Sequence, residues 1–323
     1  MEEGRNLLAW PHLWRNWWVG ILVGGCGYPG VAAAQASMPI NQPPINLGVT
    51  SFLDGEGGAG ALLEIIGTGY MATYTTDATG RPVPGNSARW NGTVTLHPVY
   101  QFTTSLLGGS LGAEALLPLA LIGLDLPGPP PAGRASRGGV GDLAAGPFVQ
   151  WSKLRLLGEP LSLRLACQGV APLGSYAREQ PVNVGQHAWQ VLPYCALTWR
   201  TSEKWELSSR LTYAWVGRNT QPAADPASTS AQAGQQLALN LAASRAGLPG
   251  WRVGVAGYLL KQLSNARRDD QPLPASRQQA LGLGPGLLWK SGRTTLIANL
   301  YREFGTRNRS EGFSGGLRFL RTF

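Results

Sequence analysis

The sequence predicts an all-β fold, an antiparallel transmembrane β-barrel of the bacterial outer-membrane type with about twelve strands. Three observations carry that prediction. Apolar and polar residues alternate in segments of about ten to eighteen residues, the connections between segments alternate short and long, and the chain closes on an amphipathic strand ending in Phe323.

Hydrophobic residues make up 43% of the chain and charged residues only 14%, well below the roughly 25% charged residues of soluble domains. After residue 40 no apolar run reaches the roughly 18 residues of a membrane helix, so the apolar content is dispersed. The 44 glycines and 12 tryptophans suit closely packed strands with aromatic anchors. A net charge of +9 does not point to nucleic acid, because Arg267-Arg268 is the only adjacent basic pair and no basic stripe forms. The charge favours anionic lipid headgroups or anionic solutes.

At the start of the chain, Arg5 and Arg15 precede the apolar run Trp17–Val23, and Ala34-Gln35-Ala36 gives a small-x-small pattern before Ser37. Residues 1–36 therefore read as a cleavable secretory signal. Val23-Gly24-Gly25-Cys26 is a loose lipoprotein box, which leaves lipidation of Cys26 as the alternative. The mature chain keeps Cys167 and Cys195, too few for a disulfide framework, and both read as free, lipid-facing residues. Residues 37–59, rich in Pro, Gly and Asn, are expected to form an irregular lead-in, and residues 60–323 the barrel.

The clearest strand is Trp205–Trp215. Trp205, Leu207, Ser209, Leu211, Tyr213 and Trp215 share one parity, while Glu206, Ser208, Arg210, Thr212 and Ala214 share the other. Successive side chains of a strand point to opposite faces, so one face can meet hydrocarbon and the other a polar interior. Leu161–Gln168 and Gln236–Leu241 repeat the pattern. A soluble sandwich would produce the same alternation with the leucine row in its core, and periodicity alone does not separate the two.

The connections favour the barrel. Tight turns are expected at Gly108-Gly109, Gly158-Glu159-Pro160, Thr201-Ser202-Glu203, Gly247–Gly250 and Ser291-Gly292. Longer polar loops are expected near 77–90, 126–140, 175–187, 219–234, 266–277 and 306–312. Short periplasmic turns and long extracellular loops are the outer-membrane pattern, and an even strand number puts both termini on the periplasmic side. Phe319 and Phe323 on the final strand then read as the assembly signal. Its apolar parity carries one cation, Arg321, within reach of the headgroups by snorkelling. Trp151, Trp189, Trp199, Trp205, Trp215, Trp251 and Trp289 fall near strand ends, as girdle residues do.

Parity also selects candidate lumen-lining groups: Glu64, Glu114, Arg164, Gln168, Glu206, Arg210, Arg252, Asn299 and Glu303. Opposite charges across a narrow interior either set solute preference, as charged rings do in pores, or pair with each other and fill the barrel. Filling is favoured, since twelve strands enclose only slightly more than the filled eight-strand case. Catalysis is not expected. The mature chain has only His97 and His187, with His97 at an inward position making ordinary hydrogen bonds, and no nucleophile elbow, phosphate loop or zinc spacing occurs. No catalytic residue, metal site or cofactor is assigned.

A family resemblance rests on an ordered set of short motifs: Gly141-Asp142-Leu143-Ala144-Ala145-Gly146-Pro147-Phe148-Val149-Gln150-Trp151, then Asn183-Val184-Gly185 with Trp189, then Trp205-Glu206-Leu207 with Tyr213 and Asn219. Gly250-Trp251-Arg252-Val253-Gly254, Gly257-Tyr258, Lys261-Gln262, Leu283-Gly284-Pro285-Gly286, Glu303-Phe304 and Asn308-Arg309 continue it. Together they resemble the outer-membrane transporters of the phenol meta-degradation pathway. The resemblance implies a barrel related in role to uptake channels for aromatic hydrocarbons and fatty acids.

The expected function is therefore an outer-membrane channel for passive uptake of small hydrophobic or aromatic compounds. Its partners would be outer-membrane lipids, the barrel-assembly machinery and the solute, with no nucleic acid and a monomeric state. A structural or surface-binding barrel with a filled lumen is the alternative, and an outer-membrane lipid esterase the second.

Overall fold

Burial parity turns this chain inside out relative to a soluble β domain. In the computed structural model Glu206, Ser208, Arg210, Thr212 and Ala214 are buried, whereas Trp205, Leu207, Leu211 and Trp215 on the same strand are exposed. An alternation that periodicity left open is thereby decided, because a soluble sandwich would bury the leucine row. The structure describes residues 45–83, 89–125, 134–223 and 227–323. The expected leader and the Cys26 alternative lie outside the described residues.

Among the described residues the strands are β1 (Gly60–Thr75), β2 (Arg89–Leu106), β3 (Gly109–Asp125), β4 (Arg134–Val140), β5 (Leu143–Leu156), β6 (Glu159–Ala171), β7 (Gln190–Trp199) and β8 (Trp205–Val216). They continue with β9 (Ala231–Gln232), β10 (Gln236–Ala246), β11 (Trp251–Gln262), β12 (Arg267–Arg268), β13 (Gln271–Pro272), β14 (Gln279–Ser291), β15 (Thr294–Arg307) and β16 (Ser310–Thr322). The wall runs β1, β2, β3, β5, β6, β7, β8, β10, β11, β14, β15, β16, every neighbour antiparallel, and closes when β16 pairs with β1 from Leu62↔Thr322 to Thr75↔Ser310. That is a closed twelve-strand barrel. Closure removes both free sheet edges, which hydrocarbon could not satisfy. The short strands β9, β12 and β13 form a separate three-stranded sheet in the long loops.

Strand β4 departs from the expected loop at 126–140. It pairs with the far half of β3 (Leu119↔Val140 to Asp125↔Arg134), while β5 pairs with the near half (Ser110↔Gln150 to Leu116↔Ala144). Between these ladders Leu117 and Pro118 face Gly141, Asp142 and Leu143, one residue more, so β4 and β5 are one strand interrupted by a bulge. Arg134–Val140 looks loop-like because it is polar and glycine-rich, yet β3 is long enough to offer it a ladder. The ladder of β6 with β5 ends at Leu143↔Ala171, which leaves the second edge of β4 without a strand partner among the described residues. A second departure is the expected loop at 306–312. There β15 and β16 are joined by Asn308-Arg309 alone, with Asn308 at positive φ (50°), a conformation that asparagine tolerates in tight turns.

Exposed apolar side chains cover the outside, among them Leu119, Leu121, Val253, Val255, Leu300 and Leu317. Trp251 and Trp289 meet across β11 and β14 at the short-turn end, ring centroids 6.3 Å apart. Trp151 Nε1 donates to the Leu107 carbonyl (3.0 Å) and Trp199 Nε1 to that of Leu156 (3.2 Å). These rings present an apolar body to lipid and a polar tip to the rim.

Candidate functional site

The interior is built from the inward parity of the wall and from residues 45–59, which precede β1 and carry no strand. Inside the barrel this segment bonds side chains of distant strands. The Gly48 N–H donates to Asn240 Oδ1 (3.0 Å), Ser51 Oγ to Asn299 Oδ1 (2.8 Å) and the Gly55 N–H to Thr198 Oγ1 (2.9 Å). Phe52 is fully buried among Ala242, Ala256, Tyr258, Leu288, Ile297 and Tyr301, and burying such a ring contributes about 1.5–3 kcal/mol. Close approach explains two glycines. A Cβ at Gly55 would stand 2.5 Å from the Leu197 carbonyl carbon, and one at Gly286 would stand 2.6 Å from the Phe52 ring.

All nine candidate lumen residues are buried, and the fold sorts seven of them into three groups. The first centres on His97, whose Nδ1 lies 2.7 Å from Glu64 Oε2 and whose Nε2 lies 3.3 Å from Glu114 Oε2. Arg318 pairs with Glu64 from the neighbouring strand. Gln168 Nε2 (2.6 Å) and the Tyr194 hydroxyl (2.8 Å) both donate to Glu114 Oε1. Arg164 Nη1 stands 3.7 Å from Glu114, and its Nε donates to Gln150 Oε1 (2.8 Å). In the second group Ser208 (2.6 Å) and Ser244 (2.7 Å) donate to Glu206, while Arg252 Nε donates to Ser244 (2.9 Å). The third joins Glu303 to the hydroxyls of Tyr70 (2.7 Å) and Tyr258 (2.9 Å).

The two remaining candidates grip the lead-in. Asn299 accepts from Ser51, and Arg210 forks onto Asp54, with its guanidinium 4.0 Å above the Tyr194 ring. Nearer the rim Arg200 pairs with Glu56 at 2.7 Å. Sequence reasoning did not find Phe52, Asp54 or Glu56 as interior residues. Two carboxylates and an aromatic ring in an aperiodic Pro/Gly-rich stretch were the available signal. Among the described residues no group of three or more His, Cys, Asp or Glu side chains could hold a metal ion.

A separate set of contacts closes the second edge of β4 with the segment at 172–189. Ser175 N–H donates to the Val140 carbonyl (2.7 Å), and Arg137 Nη1 donates to Asn183 Oδ1 (2.9 Å). At the bulge the Asp142 carboxylate accepts the Gly174 N–H (2.9 Å) and the Gln186 N–H (2.8 Å).

A closed antiparallel wall with an apolar outside and a charged inside defines a bacterial outer-membrane β-barrel. The chain belongs to the family described as "Putative MetA-pathway of phenol degradation", whose model matches residues 73–319. It is similar to the crystal structure of an outer membrane channel from Pseudomonas putida, with 18% identity, a TM-score of 0.71, and coverage of 83% of this chain and 97% of that one. It is also similar to the transport unit of the autotransporter AIDA-I from Escherichia coli, with 12% identity, a TM-score of 0.51, and coverage of 91% and 98%. At these identities the likeness shows the fold. No curated protein matches the sequence.

Proposed function

We propose that this barrel is a passive channel for uptake of small hydrophobic or aromatic compounds across the outer membrane. The observation that carries the reading is the seam at β4. Every other pair of adjacent wall strands is joined by a backbone ladder, but between β4 and the segment at 172–189 the wall is held by a few loop and side-chain contacts. A ladder opens only by breaking many hydrogen bonds together, whereas this seam yields by moving one loop. A solute held by the long loops would pass the seam sideways into hydrocarbon, so the wide polar pore that ions need is not required. Family membership and the likeness to the outer membrane channel of P. putida support the same class.

On this reading the nine buried polar residues mainly fill the interior, since each has partners of its own, and residues 45–59 act as the barrel's plug. The protein works as a monomer, without catalytic residues, in contact with outer-membrane lipid and assembled by the barrel-assembly machinery.

A disulfide across the seam tests it. A Cβ at Gly139 would stand 2.7 Å from Ser175 Cβ, so Gly139→Cys with Ser175→Cys needs the loop to yield about 1 Å to reach ordinary disulfide geometry. Liposomes carrying the oxidised pair should take up an aromatic hydrocarbon more slowly than the reduced pair, with rates restored by reductant. Equal rates in both states would remove the lateral route. No flux in the unmodified protein would favour a structural barrel with a filled lumen, a reading that the self-paired interior groups support.

A further inference from the structure

The outer wall carries a groove that runs from β16 across β1, β2 and β3 to β4, beside the seam. It has a volume of about 670 Å³, within the range of pockets that hold small ligands (about 300–1,000 Å³). Its floor is Gly67 and Gly92, its rim is Leu119, Leu121 and Leu317, and its far edge is Val140 of β4. The floor is low because side chains are missing in register: Gly69 lies opposite Gly92 on one side and Gly315 on the other. Leu300 covers Gly315, but among the described residues no side chain lies over Gly67, Gly69 or Gly92. A Cβ at Gly67 would meet only the Leu317 carbonyl oxygen at 3.8 Å, and one at Gly92 only that of Thr68 at 4.0 Å.

Toward the long-loop end, one step above this glycine row, Met71 pairs with Phe313 and Phe313 with Arg302, all three on the outward parity. The Arg302 guanidinium lies 4.8 Å from the Phe313 ring centroid, donates to the Gly312 carbonyl (3.0 Å), stands 3.5 Å from Glu311, and remains 41% exposed. Arg81 and Arg307, both exposed, lie above it. Their hairpins are locked together, with the Asn308 N–H donating to the Asp77 carbonyl (3.0 Å) and the Thr76 N–H to that of Arg309 (3.0 Å). The nearby acids are engaged. Asp77 accepts from Thr79 and from the Arg81 N–H, and Glu311 is buried against Thr306 and Tyr74.

We propose that the groove and these arginines bind a phosphorylated, multiply acylated glycolipid of the outer leaflet, with one acyl chain in the groove and a phosphate against Arg81, Arg302 and Arg307. The order fits such a lipid: apolar dent, then aromatic and methionine collar, then guanidinium groups at the leaflet surface, where arginine pairs well with phosphate. A second copy of the chain fits poorly, because it would bring like charges together at the rim.

Native mass spectrometry of the detergent-solubilised barrel titrated with bisphosphorylated lipid A tests this. One lipid should remain bound, and dephosphorylated lipid A and phosphatidylglycerol should bind more weakly. Replacing Arg302 and Arg307 by Ala should weaken binding by about fivefold for each arginine removed. Gly67→Leu with Gly92→Leu should weaken it while every arginine is kept, and both variants should retain the heat-modifiable gel shift of a folded barrel. Equal binding of the three lipids, or unchanged binding by either folded variant, would overturn the proposal and leave an adventitious lipid only. Should one variant fail to fold, the other variant and the lipid comparison still decide.

Discussion

Arg210 holds Asp54 through two hydrogen bonds, Nε to Oδ2 at 2.7 Å and Nη2 to Oδ1 at 3.0 Å, across a sequence separation of 156 residues. The pair joins strand β8 to the lead-in, and both groups are buried. It fixes the lead-in to the wall.

Asp54→Ala should therefore loosen the plug and destabilise the barrel together. Leaving a buried guanidinium unpaired costs about 3–5 kcal/mol, which should lower the thermal midpoint. Single-channel recordings should show larger or more frequent openings than in the unmodified protein. Arg210→Met with Asp54→Leu, which removes both charges, should recover much of the stability while the openings persist. Unchanged recordings in Asp54→Ala would mean that the pair does not secure the plug.

At the other end of the chain the Phe323 N–H donates to the Ala61 carbonyl (3.0 Å), and Phe323 is 67% exposed. Deleting Phe323 removes one rim hydrogen bond, worth about 1 kcal/mol, and little packing. Assembled protein in cells should fall severalfold, while the midpoint of barrel refolded in detergent moves little. A matching loss in both measurements would make Phe323 a stability residue and not an assembly signal.

Asp269, in the loop after β12, accepts the Thr229 hydroxyl and N–H (2.8 Å each) and the Ser230 N–H (2.9 Å). The Thr229 hydroxyl first, then the Ser230 and Thr229 N–H groups, hold its carboxyl below the ordinary carboxylate range. A depressed folded value means that this tie is fully present above the unfolded value, about 3.9, and is lost as pH falls through the folded one. Proteolysis near 227–232 should be unchanged from pH 7 to pH 5 and should rise only below about pH 4. Asp269→Asn should show the faster cleavage already at pH 7. Equal cleavage of Asp269→Asn and the unmodified chain at pH 7 would count against the tie.

Strand β8 shows how much was legible. Its period-two alternation follows from local geometry, so its location and its two faces could be read from Trp205 to Trp215, as could the tight turns at Gly108 and Gly158, which require positive φ. The same reading missed β4 and the two-residue turn at Asn308-Arg309. The pairing of a polar, glycine-rich stretch depends on whether a neighbour is long enough to receive it, and that is not a local property.

For the interior, parity alone chose nine residues that the fold buries, because in a closed barrel the inside follows from alternation. It could not say which of them meet. Glu64 and Glu114 share His97 only because β1, β2 and β3 are adjacent in a particular register, and Arg318 reaches Glu64 only because the last strand closes on the first. The sequence by itself determined strands with one apolar and one polar face and an aromatic residue closing the last of them, since each follows from neighbours along the chain, while burial in the closed barrel decided that the apolar face is the outer one. Tertiary structure decided that residues 45–59 enter the barrel, that β4 keeps one edge without a strand partner and that glycines of β1, β2 and β16 align into a groove. Those features depend on contacts between segments far apart in the chain, where periodicity carries no information.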